Sequence, residues 1–239
     1  MDKPYVLDEN EHFAVVFKPA KMHTTAKNKE QRTENEETIT LLEWFKTKTK
    51  SVYDIMHRLD YETHGLVLFA KNERSFLFFK EAQMKSEFIK EYSAVCERTN
   101  EKNAAGFPPS PLTENFASPF VIESYFRPFG QGRKLVRPVI EDGKKHKETA
   151  KDNGNFYRTE VVKKSGNYFT IRIKRGFRHQ IRCHLCWIGF PIVNDPLYSC
   201  ILKEEAVSPE RVMALRSHAL FFPDPVSGER REYKIDMLI

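Results

Sequence analysis

His57-Arg58-Leu59-Asp60-Tyr61-Glu62-Thr63-His64-Gly65-Leu66-Val67-Leu68-Phe69-Ala70-Lys71 changes character halfway along. Its first half is polar, and from Gly65 to Ala70 it is an unbroken apolar run of strand rather than helix length, which predicts a buried strand. Polar groups held at the mouth of a buried strand are where sites are built. Taken alone, His-Arg-Leu-Asp also has a bland reading, with Asp60 accepting a turn hydrogen bond and Arg58 in a surface ion pair.

Working outward, Phe13-Ala-Val-Val-Phe17 before Lys18-Pro19 predicts another buried strand, with almost nothing ahead of it. Residues 23–37 are polar and aperiodic and predict a loop, followed by a helix over residues 38–48 with Leu41, Leu42 and Phe45 inward. Asn72 is placed to cap a helix holding Phe76, Phe79 and Phe88, and Glu91–Cys96 has strand composition. Strands are predicted at Arg158–Val162 and Tyr168–Ile173. A helix is predicted at Arg178–Ile188, ended by Gly189 and Pro191. Its stripe Ile181, Leu185 and Ile188 packs, while His179, Arg182 and Cys186 share a neighbouring face able to line a cleft. Without regular β-α-β alternation, these elements predict an α+β fold.

The chain has 239 residues, 40% of them hydrophobic and 13% aromatic, enough for one sizeable core, so a single domain over 1–239 is expected. Lys and Arg number 39 against 33 Asp and Glu, a net charge of +6. That balance suits a polyanion partner and equally a solvated surface. The basic residues gather in 127–151, where Arg127, Arg133, Lys134, Arg137, Lys144, Lys145, Lys147 and Lys151 stand among glycines, fit either to follow a phosphate backbone or to form a solvated hairpin. Neither a leader pattern nor about 18 consecutive apolar residues occurs, and four cysteines are too few for a disulfide scaffold. The expectation is a soluble cytoplasmic protein.

His57–Lys71 resembles the H-R-L-D-x-x-T-S-G-L-L-L-[LF]-A-K signature of the RluA-type RNA pseudouridine synthases. Further blocks resemble that family in the same order: Phe13–Ala20, Lys90-Glu-Tyr-Ser-Ala94, His179-Gln-Ile-Arg-Cys-His-Leu185 through Asn194-Asp-Pro-Leu-Tyr198, and residues 217–229 (SHALFFPDPVSGE). The resemblance implies an isomerase that converts uridine to pseudouridine on a bent, mixed, largely antiparallel sheet flanked by helices and loops. It implies Asp60 as nucleophile, attacking C1′ or C6, with no metal or organic cofactor. Arg182 is then the cation that pairs with Asp60 and keeps it ionised. Tyr92 stacks on the flipped uracil, Arg58 enters the gap the base leaves, and Ile181 forms the wall under the ring. His57, His179 and Gln180 of the same motifs join them as RNA- or base-contacting residues, with Lys144 and Lys145 on phosphates.

The implied partner is structured RNA, ribosomal or transfer, with the protein expected to be a monomer and to lack the S4-like module many relatives carry ahead of the catalytic domain.

Departures from the pattern fall close to these residues. His64 stands where the family has Ser, and Arg175-Gly-Phe-Arg-His179 replaces T-G-R-[TS]-H, so roles attached to that arginine do not transfer to Arg178. Lys21 and Asn194 stand where the pattern has Gly, so the local turns are expected to differ. Two other readings stay open. One is an RNA-binding or assembly factor without catalysis. The other is a zinc site from His179, Cys183, His184 and Cys186, which helical geometry disfavours because His184 points away from the other three.

Overall fold

The computed structural model describes residues 2–26, 39–49, 51–99, 106–110, 112, 117–140, 156–198 and 210–237. Along the chain run β1 (Tyr5–Glu9), β2 (Phe13–Lys18), α1 (Leu41–Lys48), β3 (Asp54–Ile55), β4 (His64–Ala70), α2 (Glu73–Met84), β5 (Ile89–Val95), β6 (Phe120–Phe129), β7 (Leu135–Val139), β8 (Tyr157–Ser165), β9 (Tyr168–Ile173), α3 (Gln180–Trp187), β10 (Leu215–Pro223) and β11 (Arg230–Lys234). The fold is α+β; β2 and β3 pair antiparallel with β4, β6 with β7 and β8, and β8 with β9, while β10 runs parallel to β4. Two compact units result, Met1–Glu91 with Arg216–Leu238, and Tyr92–Leu215.

In the first unit β4 is buried along its whole length, as its unalternating sequence requires. β2 pairs antiparallel along one edge of it, Phe13 opposite Ala70 and Lys18 opposite Gly65, and β10 pairs parallel along the other, Ser217 opposite Gly65. The parallel pair is close enough that Gly65, at φ +124°, has no room for a side chain: a Cβ there would lie 2.2 Å from the Ser217 carbonyl oxygen. Phe13, Leu66, Leu68, Phe79, Phe88 and Phe222 form the centre of the core, with Phe13 meeting Phe222 edge-on at 5.3 Å. Thr40 caps α1 through a capping box with Glu43, and Asn72 caps α2 by accepting from the Ser75 amide. Phe88 lies beyond the end of α2 and reaches the core from the turn after it, a correction to the expected helix.

β1, like β3, β6 and β11, was not signalled by the sequence. Its residues are mostly exposed, so it lacks a buried face and is held by its ladder to β2 and by the Tyr5–Phe17 stack at 4.9 Å.

The second unit is an antiparallel array ordered β7-β6-β8-β9, with α3 against β7 and β8. β9 alternates Phe169, Ile171 and Ile173 inward as expected. Gly189, at φ +81°, ends α3. All eight residues of α3 are buried, Arg182 and Cys186 among them, while His179 of the same face stands ahead of the helix and is half-buried. Lys21 and Asn194, which stand where the family pattern has Gly, both take the left-handed backbone that glycine favours, with φ 59° and 60°.

Candidate active site

Asp60 is half-buried, four residues before a strand that is wholly buried, with Arg58 exposed and Leu59 tucked inward. The Asp60 carbonyl accepts from the Thr63 amide at 3.1 Å, which closes the turn. Leu59 is fixed by Thr24, whose hydroxyl donates to the Leu59 carbonyl at 2.8 Å and accepts from the Leu59 amide at 3.1 Å. The Tyr61 carbonyl accepts from the Lys21 amide at 2.8 Å and from Lys18 Nζ at 3.3 Å.

Lys18 is the most deeply buried cation here, with no solvent exposure, and its ammonium also donates to the carbonyls of Pro19 (2.9 Å) and Met22 (2.8 Å). Burial pushes it down to about 7, against the pull of Asp60 and Glu62. Neither Lys18 nor Thr24 was singled out from sequence. The signal was a lysine closing an otherwise apolar strand.

His57 faces the first unit's core rather than solvent. Its Nε2 accepts from the Leu68 amide at 3.3 Å, its ring lies 5.3 Å from that of Phe88, and its buried Nδ1 has no hydrogen-bond partner among the described residues. Burial, and secondarily the Lys90 charge, holds it neutral. His64, where the pattern has Ser, is buried as well, and burial followed by the Arg216 charge lowers it to about 4.

Tyr92 lies in β5 with 5% of its surface exposed. Around α3 the sequence-predicted residues divide by what they touch. His179 stands ahead of α3 in a left-handed conformation (φ 57°), its Nδ1 3.4 Å from the Tyr198 hydroxyl. Gln180 is consumed by structure: its amide nitrogen donates to the Arg158 carbonyl and the Thr159 hydroxyl, both at 3.0 Å, and its oxygen accepts from the Phe177 amide at 3.0 Å. Ile181 is buried.

Arg182, 2% exposed, grips Asp195 bidentately, Nε to Oδ2 at 2.8 Å and Nη2 to Oδ1 at 2.7 Å. Burial alone would raise Asp195; the Arg182 charge and bonds, with the Leu197 and Tyr198 amides, bring it below the usual carboxylate value. Asp195 is the partner that sequence reading missed, although it sits inside the quoted Asn194-Asp-Pro block.

Phe177 occupies the pattern's arginine position and stacks on Phe126 with centroids 5.1 Å apart and planes 5° apart. The displaced arginine, Arg178, donates through Nη2 to the carbonyls of Arg133 (2.8 Å) and Leu135 (3.0 Å). The thiols of Cys183 and Cys186 donate to the Val136 and Tyr198 carbonyls, and burial raises both. His184 is held between Ser124 (2.9 Å) and Thr159 (2.8 Å). Among the described residues no three His, Cys, Asp or Glu side chains gather as metal ligands. Lys144, Lys145 and Lys147 lie outside the described residues.

Comparison with known proteins matches residues 12–187 to the RNA pseudouridylate synthase family. An uncharacterised protein of Caenorhabditis elegans is 33% identical over 146 residues, 61% of this chain and 28% of that protein. An uncharacterised RNA pseudouridine synthase of Helicobacter pylori is 25% identical over 98% of this chain and 66% of its own length. The ribosomal large subunit pseudouridine synthase D of Zymomonas mobilis is 23% identical, over 97% of this chain and 68% of its own length. The chain thus spans 28% of the worm protein and just under two thirds of the Helicobacter one. Among solved structures, human RNA Pseudouridylate Synthase Domain Containing 1 shares the fold, with a TM-score of 0.66, 17% identity and coverage of 98% of this chain and 83% of that one. With the match extending over most of its length, this chain belongs to the RNA pseudouridylate synthase family.

Proposed function

We propose that this protein isomerises uridine to pseudouridine in structured RNA, with Asp60 as the nucleophile. The observation that carries the reading is Asp60 itself, half-exposed on a turn fixed from both sides, in a chain of this family. Its carboxylate adds to the uridine at C1′ or C6, the C1′–N1 bond breaks, the uracil turns, and C5 bonds to C1′. The C5 proton is then lost, N1 gains one, and Asp60 is released, so the sum is an isomerisation that draws on no metal or organic cofactor.

Tyr92, Arg182, Arg58 and Ile181 keep the roles the family pattern gives them at the base and the nucleophile. RNA as partner is supported by the β6–β7 hairpin, where Arg127 and Arg137 stand directly opposite one another and Glu123, the one carboxylate of these two strands, is engaged by Arg158 at 3.4 Å. Like charges paired across strands are unfavourable until an anion joins them. Ribosomal RNA is the first substrate to test, given the relative named for the large subunit, with transfer RNA second. A cytoplasmic monomer is the working form.

A second reading, RNA binding without catalysis, is favoured by Phe177 in the place of the pattern's arginine. Asp60→Ala separates the two. On 5-³H-uridine-labelled RNA from cells lacking this chain, wild-type protein releases tritium. Asp60→Ala should release none while binding that RNA with little change. Release by Asp60→Ala at the wild-type rate would remove Asp60 as nucleophile, and no release by either protein would favour the binding factor.

A further inference from the structure

We propose that the segment Lys18–Thr24 is a clamp that positions Asp60, with the Thr24 hydroxyl and the Lys18 ammonium as its positioning groups. This rests on Asp60 being the nucleophile. The geometry concerns the backbone on either side of that residue. Leu59 is bound through both its amide and its carbonyl by one hydroxyl, that of Thr24, which is 3% exposed. Tyr61 is bound at its carbonyl by the Lys21 amide and Lys18 Nζ, and its ring lies 4.6 Å from the His23 ring. With Thr63 on the Asp60 carbonyl, every carbonyl of residues 59–61 is engaged. The clamp is itself seated: the His23 and Thr24 carbonyls accept from the Leu41 and Leu42 amides at the start of α1. A carboxylate carried on a backbone held this way has its point of attachment fixed.

Lys18 adds a charge to the clamp. Its three N–H groups meet three carbonyls, so all three carbonyls have a donor only while the amine is protonated. The charged and titratable groups facing it are Asp60 and Glu62 of the turn and His64 of β4. Because burial brings its ionisation down to about 7, rising pH removes one clamp bond and the positive charge close to Asp60 together.

A threonine that only stabilised the fold would affect the amount of active protein and not its turnover. A positioning group acts on kcat, and a displacement of about 1 Å at a reacting atom costs about 100-fold. The test uses the full chain and bulk 5-³H-uridine-labelled RNA from cells lacking this protein. Thr24→Val should lower kcat by about 10- to 100-fold with KM for RNA within about twofold, and Thr24→Ser, which restores the hydroxyl, should return kcat to within about threefold. The wild-type kcat should decline with an ionisation near 7, and Lys18→Arg should lose that inflection.

Unchanged kcat in folded Thr24→Val, or no rescue by Ser, overturns the clamp. Should Thr24→Val not fold, hydrogen exchange in wild-type protein decides: a protected Leu59 amide upholds the Thr24 bond and a freely exchanging one overturns it. An inert Asp60→Ala beside a fully active Thr24→Val defeats the clamp alone. An active Asp60→Ala defeats the reading beneath it.

Discussion

Arg182 and Asp195 meet through two parallel hydrogen bonds of 2.8 and 2.7 Å where neither residue is more than 2% exposed. Asp195 also accepts from the Leu197 and Tyr198 amides, at 2.9 and 3.0 Å, and the Arg182 guanidinium lies 5.4 Å from the Tyr198 ring. A carboxylate so placed depends on its partner, because a buried charge left alone is far costlier than the pair is favourable. Arg182→Ala is therefore expected to lose about 3–5 kcal/mol of stability, and Asp195→Asn a similar amount. Lysine at 182 should recover part of it, since a point charge cannot fill a bidentate site. Urea unfolding of each variant measures this, and an Arg182→Ala protein as stable as wild type would refute it.

Gly65 is fixed by space and by backbone together. Its φ of +124° excludes ordinary side chains, and a Cβ would strike the Ser217 carbonyl at 2.2 Å. Gly65→Ala should break the β4–β10 pairing at a cost on the order of 4 kcal/mol or more. Gly228 has a positive φ of 72° but nothing within 4 Å of a Cβ, so Gly228→Ala should cost only about 1 kcal/mol. Thermal melts that failed to separate the two glycines would show that the close approach is relaxed in solution.

Acid should unfold the protein through its buried imidazoles. Burial lowers His64 to about 4 and His184 to about 3, so between the unfolded value near 6.5 and these values the unfolded chain binds more protons than the folded one. Stability is then full above about pH 6.5 and falls by about 1.4 kcal/mol per pH unit for each histidine as pH drops through that window. Imidazole NMR signals give the direct check. His184, bonded to Ser124 and Thr159, should remain neutral at pH 4.5, and its protonation near pH 6 would contradict this.

The Arg127 and Arg137 pair should be visible as a salt effect. Each phosphate contact contributes about 0.7–0.9 to the slope of log affinity against log salt. Arg127→Gln/Arg137→Gln is expected to flatten the slope on labelled RNA by about 1.4–1.8. Arg158→Gln, whose arginine is already spent on Glu123, should leave it nearly unchanged. Equal slopes for the double variant and wild type would make the hairpin an ordinary solvated surface.

Local sequence determined what depends on near neighbours in the chain. The apolar run from Gly65 to Ala70 had to be a buried strand, Asn72 had to start a helix and Gly189 had to end one, because length, capping chemistry and backbone freedom act within a few residues. Asp60 could be singled out for a related reason, a polar turn running into an apolar strand. Tertiary structure decided the partnerships. That Lys18 and Thr24 reach across 43 and 35 residues to the peptide groups beside Asp60, that Arg182 turns to Asp195, and that Gln180 serves β8 are consequences of packing that no local pattern encodes. β1 belongs with them, since a strand without a buried face is held by the edge that β2 offers it. Propensity and periodicity sum over short windows, whereas a buried hydrogen-bonding group takes whichever partner the completed fold brings within about 3 Å.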